Sequence, residues 1–281
     1  MLVPTAGLLT AAAKRGAAVG AFNVITVEHA EAITAGAERA GCAVILQISE
    51  NAVRFHGGRP APIAAATRAI AESAGVPASL HLDHVTSTEL LHLAPECGFS
   101  SVMFDASSLR YADNISATRE AAEFAHKHGM WLEGELGQVG GKTGPPLDAH
   151  APGARTDPAE AATYVSATGI DTLAVAVGST HAVTSQNAVL DHGLIAKIHA
   201  ALQVPLVLHG SSGIREDELV RAACGGITKI NIGTALNVAF TGAVRVELAH
   251  APNLFDPRTY LTLAREAMAT VVAHYLELLS R

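Results

Sequence analysis

The chain alternates between two hydrophobic patterns. Eight short apolar runs occur at Val19–Val24, Cys42–Ser49, Ala78–His84, Ser101–Ala106, Trp131–Gly137, Thr172–Val177, Pro205–Gly210 and Ile227–Gly233. Most are continuous and do not alternate apolar with polar, the pattern of parallel strands buried on both faces. Between them lie segments with helical spacing, among them Val27–Ala40, Pro60–Ala74, Asn114–His128 and Glu216–Cys224, and a closing helix at Pro257–Leu279. Strands that alternate with helices predict βαβ units and a parallel sheet. Eight units predict a closed (β/α)8 TIM barrel; an open doubly wound sheet is the alternative. The 281 residues suit one such barrel, so the whole chain, 1–281, is read as a single domain. One segment stands apart, Gln138 to Pro158, with four glycines and four prolines after the fifth strand. A βα loop of that length in a compact domain is usually functional or mobile.

Composition narrows the function. Hydrophobic residues are 49% and charged residues 16%, which excludes wholesale disorder. No apolar run approaches the roughly 18 residues of a membrane span. The first basic residues, Lys14 and Arg15, follow the apolar start, the reverse of a secretory signal, so a cytoplasmic protein without membrane association is expected. A net charge of −7 with scattered Lys and Arg lacks the basic footprint of nucleic-acid binding. The three cysteines, Cys42, Cys97 and Cys224, form no C-x-x-C pair and are expected to be small core residues in a reducing compartment.

Candidate chemistry gathers at the strand ends. In order these carry Asn23, Ser49, Asp83 with His84, Asp105, Glu135, His181, His209 and Asn231. Barrel active sites are built at that face from several strands. Of the 14 histidines, those in helical segments, including His29 and His192, are expected to be solvated or partly packed, and His81, inside its strand, a satisfied core group. His84, His181 and His209 each end a strand. Three imidazoles with an open position form a catalytic zinc pattern, although the spacing equally allows three separate core histidines. Two glycine-rich stretches, Gly210-Ser211-Ser212-Gly213 and Asn231-Ile232-Gly233-Thr234, sit where barrels bind phosphate, with Thr234 a candidate helix cap; tight turns are the plainer reading. Gly137–Thr143 has one residue too few for a phosphate-binding P-loop, and no G-x-G-x-x-G follows a strand.

Taken together, several motifs resemble the class II, metal-dependent ketose-bisphosphate aldolases. They are Ala21-Phe22-Asn23, Leu80–His84, Ser101–Ser107, Glu133–Gly137, Leu173–Gly178 leading to His181, Leu208–Gly213 and Lys229–Thr234, in family order. The resemblance implies that His84, His181 and His209 hold Zn²⁺, with Glu135 and Asp105 as nearby or alternate ligands. The metal would polarise the ketone of dihydroxyacetone phosphate and stabilise its enediolate. Asp83 would move the proton on the hydroxyl at the bond made or broken. Asn23 and Ser49 would contact substrate hydroxyls or phosphate. The backbones of Ala182, Gly210, Ser211 and Ser212, with Asn231, Gly233 and Thr234, would bind the ketose phosphate, beside a monovalent cation. The partner is a phosphorylated sugar, and a homodimer or homotetramer is implied.

The chain departs from the family pattern at several positions. Gly140-Gly141 is followed by Lys142-Thr143 where the family places an acid used in proton transfer, Ala182 follows the second metal histidine in place of glycine, and Gly233 stands where aspartate is common. Lys142, His150 or Arg155 is therefore expected to replace the missing acid or to bind an anionic group on a different aldehyde. A phosphosugar isomerase or epimerase, and a non-catalytic sugar-phosphate sensor, are the alternatives to an aldolase.

Overall fold

The computed structural model describes residues 1–136, 155–179 and 188–280. Its strands are β1 (Val19–Asn23), β2 (Val44–Ser49), β3 (Ala78–Val85), β4 (Ser101–Phe104), β5 (Trp131–Leu136), β6 (Thr172–Val175), β7 (Leu206–Leu208) and β8 (Ile227–Ile232). Its helices are α1 (Thr5–Arg15), α2 (Val27–Ala40), α3 (Glu50–Phe55), α4 (Pro60–Ser73), α5 (Thr88–Leu93), α6 (Tyr111–Lys127), α7 (Pro158–Thr168), α8 (His192–Ala201), α9 (Glu216–Cys224), α10 (Thr234–His250) and α11 (Pro257–Leu279). The strands pair in sequence order, all parallel, and β8 closes on β1 through Val19–Phe22 against Lys229–Ile232. The eight expected strands are present, and the closed barrel replaces the open sheet. Among the described residues no helix is long and apolar enough to cross a membrane.

Seven of the eight strands are shorter than their apolar runs, and at β4 and β7 the local reason is visible. β4 stops at Phe104 because the Asp105 carboxylate turns back to accept from the Ser107 N–H at 3.1 Å. β7 stops at Leu208, and Gly210 turns the chain with a φ of 68°.

The two ends of the barrel differ. Helix α1 plugs the amino-terminal end, where Leu8, Leu9 and Ala12 pack on Val19, Ala21 and Ile45. At the outer wall α11 lies against α2 so closely that a Cβ on Gly36 would stand 2.5 Å from the Ala269 carbonyl oxygen. The amino-terminal end is thereby plugged, and the polar residues at the strand ends lie at the opposite, carboxyl end.

Some expectations need correction. Cys224 is exposed and the other two thiols are only half-buried, so none is a full core residue; Cys224 ends α9, where the helix meets solvent. His29 is buried, not solvated. It is the third residue of α2, where its Nδ1 accepts from the Thr26 N–H at 3.3 Å. Its ring stacks on Phe240, with centroids 5.5 Å apart.

Burial lowers the His29 pKa, against the opposing pull of Asn237 and Glu28. The unfolded ring takes a proton near pH 6.5, and the folded ring resists it. Below that pH the unfolded chain binds more protons, so stability falls as pH drops. The urea midpoint is therefore expected to fall less between pH 7.5 and 5.5 in His29→Gln than in the unaltered protein. Equal falls would contradict this account.

Candidate metal centre and active site

The carboxyl end of β3 sets the site. Its pairing with β4 shifts register between Leu82 and Val85. Within that irregularity His84 has a φ of 53°, and among the described residues it is the one non-glycine with a positive value. In a regular strand Asp83 and His84 would face opposite sides. The irregularity brings both to one place, with His84 Nε2 3.7 Å from Asp83 Oδ2. A left-handed non-glycine residue costs on the order of 1–3 kcal/mol, a strain found chiefly at functional sites.

His209, just beyond β7, is fully buried and meets this pair from across the barrel. Its Nδ1 lies 3.1 Å from His84 Nε2, and the rings meet edge to face. Asp83, His84 and His209 each offer a ligand atom, all within 4.8 Å of one another. His84, Asp105 and Glu135 form a second such group around the same imidazole. Asp105 Oδ2 is 3.8 Å from His84 Nδ1, and Glu135 Oε2 is 4.0 Å from His209 Nδ1. Imidazole nitrogens with carboxylate oxygens suit Zn²⁺ and similar divalent cations. The residues present therefore fit a divalent cation.

The electrostatics agree with that chemistry. Burial pushes the His209 imidazolium down to about 4, aided by His84 and opposed by Glu133. His209 is thus neutral at pH 7, the form that ligates a metal. Burial alone would raise the Asp83 carboxyl. His84, His81, Lys229 and His209 outweigh it and hold Asp83 well below the usual carboxylate range. Asn231 Nδ2 lies 3.4 Å from Asp83 Oδ1, and Gln47 Nε2 lies 3.4 Å from Oδ2, so both oxygens are flanked by amides.

The other candidates fall at the same mouth. Asn23 accepts from the Gln47 amide, and its own amide covers Gly233, where a Cβ would stand 2.9 Å from Asn23 Nδ2. That proximity explains how the chain uses a glycine there: the Asn23 side chain fills the space. Ser49 lies in register with Asp83, and its hydroxyl caps α3 by accepting from the Ala52 N–H at 3.2 Å. Ser211 to Gly213 form one 3-10 turn, in which buried Ser211 donates to the Asn231 carbonyl at 2.5 Å; Ser212 is the middle residue. Thr234 does not cap α10. It is the first helical residue, and Gly233 holds the cap position without a side chain to offer. Arg155 is ion-paired with Asp191, the cap of α8. His181, Ala182, Lys142 and His150 lie outside the described residues.

Three participants escaped the strand-end reading: Glu133, Lys229 and Gln47, all buried within strands. His81, by contrast, is the satisfied core group expected, bonded to Ser101 and beside Lys229. A signal for Glu133 and Lys229 was present. A charge in the middle of an apolar strand buried on both faces must find a partner, and these two runs carry opposite charges.

Over residues 3–281 the chain matches the family described as fructose-bisphosphate aldolase class-II. The chain belongs to this family. A fructose-bisphosphate aldolase of Geobacillus stearothermophilus is 39% identical over 280 residues, covering 98% of this chain and 96% of that protein. A 6-phospho-5-dehydro-2-deoxy-D-gluconate aldolase of Shouchella clausii is also 39% identical, over 273 residues, covering 96% and 91%. The crystal structure of the YdjI aldolase from Escherichia coli K12 superimposes with a TM-score of 0.86 at 32% identity, covering 99% of this chain and 97% of that one. As a class-II aldolase the chain is a carbon–carbon lyase.

Proposed function

We propose that this aldolase uses Zn²⁺ to cleave and form a ketose 1-phosphate or ketose 1,6-bisphosphate, with dihydroxyacetone phosphate as one product and an aldehyde as the other. The observation that carries the reading is the convergence of Asp83, His84 and His209 at the carboxyl end of the barrel. His84 and His209, with His181 as the third imidazole, hold the cation, and Glu135 and Asp105 stand beside it. The cation supplies Lewis-acid polarisation of the substrate's ketone.

Asp83 does the proton work at the bond being cut. Its ionised carboxylate takes the proton of the hydroxyl on the carbon that becomes the aldehyde. The carbon–carbon bond then breaks, and its electron pair stays on the carbon next to the ketone. Condensation returns the same proton. Gln47 and Asn231 keep the carboxylate turned toward that hydroxyl. The backbone of Gly210, Ser211 and Ser212, together with Ala182, Asn231, Gly233 and Thr234, receives the ketose phosphate. The amino-terminal end of α10 favours that charge, and a monovalent cation can share it. Asn23 and Ser49 face the substrate hydroxyls. Lys142 or His150 supplies what the missing acid does elsewhere in the family, because Arg155 is engaged by Asp191. Apolar residues exposed on α10, such as Val238 and Val246, support assembly into a homodimer or homotetramer.

The test is proton exchange. The zinc-loaded protein is incubated with dihydroxyacetone phosphate in D2O, and the hydroxymethyl signal is followed by NMR. Exchange that disappears in His84→Ala is expected. Binding without exchange would sink this donor and favour a sugar-phosphate sensor. The Shouchella clausii relative points to one particular ketose 1-phosphate, a phosphorylated deoxy-ketogluconate whose aldehyde half carries a carboxylate. Cleavage of that compound, with no cleavage of any ketose bisphosphate, would select it.

A further inference from the structure

Glu133 and Lys229 form a buried charge pair that the proton transfers above do not use. Lys229 Nζ lies 2.7 Å from Glu133 Oε2, and both side chains are closed to solvent. The other carboxylate oxygen, Oε1, lies 2.8 Å from His209 Nε2. Lys229 Nζ also lies 3.2 Å from His81 Nε2. Behind it, His81 Nδ1 is 2.7 Å from Ser101 Oγ, which donates to Thr5 Oγ1 at 2.8 Å.

The shortest of these contacts fix the proton positions that matter for His209. An ammonium only donates and a carboxylate only accepts. Glu133 Oε2 and His81 Nε2 therefore accept from Lys229. Ser101 has given its proton to Thr5, so His81 Nδ1–H donates to Ser101. At the other end Glu133 Oε1 requires a proton on His209 Nε2. Asn231 Nδ2 lies 3.3 Å from that nitrogen and 3.4 Å from Asp83 Oδ1, which takes its hydrogen, so the 2.8 Å carboxylate contact decides the tautomer.

We infer that Glu133 and Lys229 are positioning residues that lock His209 in its Nε2–H tautomer, so that the Nδ1 lone pair points at His84 and is kept for the cation. The inference rests on the metal-site reading above. Lys229 has its own part in it: it occupies the second carboxylate oxygen and fixes which way Glu133 points. His81, Asp83 and Glu133 could by spacing hold a cation of their own. The Lys229 ammonium already stands there, which makes the cluster a charge-balanced frame and not a second metal site.

Glu133→Gln separates this role from simple packing, because the two side chains have nearly the same shape. The glutamine oxygen is drawn to the Lys229 ammonium. Its NH2 group then faces His209 Nε2 and favours the opposite tautomer, with the proton on Nδ1. In the double variant E133Q/K229M the ammonium is gone, and the amide oxygen can turn back to His209. Metal-free full-length protein is titrated with Co²⁺ against a chromophoric chelator. The Co²⁺ absorption spectrum is recorded, and the ring nitrogen shifts of the metal-free protein are read by long-range 1H–15N NMR. The His209 signals are those lost in His209→Asn.

The unaltered protein is expected to show His209 with the proton on Nε2. Glu133→Gln is expected to weaken Co²⁺ binding about 10–100-fold, the usual range for removing a metal ligand's hydrogen-bond partner. The double variant is expected to recover most of that loss. A merely structural role predicts the reverse order, since the double variant removes more native contacts. A proton on His209 Nδ1 in the unaltered protein would overturn the lock, and this reading needs no folded variant. Equal Co²⁺ affinity in Glu133→Gln, or no recovery in the double variant, would overturn it as well. An Nε2–H tautomer in a protein that binds no Co²⁺ would support the lock and defeat the metal-site reading instead.

Discussion

Asp83→Asn is expected to lower kcat for cleavage by about 10²–10⁴-fold, the range typical of a lost general base. The amide keeps the shape of the carboxylate and can still sit between Gln47 and Asn231. It cannot take a proton. Because the loss falls on the transition state and not on the bound substrate, KM should change far less than kcat. The proton handled by Asp83 belongs to the hydroxyl of the aldehyde half. Deuterium exchange into dihydroxyacetone phosphate should therefore survive in Asp83→Asn while cleavage fails. Loss of both activities together, with the protein folded and its metal content unchanged, would assign Asp83 a different proton.

Removing the divalent cation with a chelator is expected to lower turnover at least about 10³-fold, and adding Zn²⁺ back should restore it. Lewis-acid polarisation of a ketone is worth several kcal/mol, and roughly 4 kcal/mol already corresponds to about 10³ in rate. His84→Ala and His209→Ala should fall as far and should not recover with added metal. The barrel itself should survive, because its core is built from strand and helix packing away from the mouth. The far-ultraviolet circular dichroism of the metal-free protein is expected to match that of the loaded one. Full activity in the metal-free protein would leave an imine between a lysine and the ketone as the usual alternative. Lys229 is poorly placed for it, being closed to solvent and held by Glu133 at 2.7 Å. Borohydride added during turnover should accordingly leave the enzyme active.

Much of this protein was legible along the chain. Strand and helix periodicities are local, so eight buried strands and five of the eleven described helices could be read directly, as could the polar residue that ends each strand. Polar groups at strand ends point to one face once the strands are parallel, which is why Asp83, His84, Asp105, Glu135 and His209 could be named together before their distances were known. Local patterns do not carry the contacts made across the barrel. Glu133 and Lys229 lie 96 positions apart in the sequence, and they meet because closing the barrel sets the stagger of β5 against β8. The register shift that turns both Asp83 and His84 toward the mouth exists only in the pairing of β3 with β4. The burial of His29 depends on α10 arriving with Phe240 from the far end of the chain. The sequence by itself determined which elements form and which chemical groups stand at the barrel's mouth. Tertiary structure alone decided which of those groups touch, because a hydrogen bond or a shared cation requires its atoms within about 3 Å, and in a closed barrel that proximity comes from strand register.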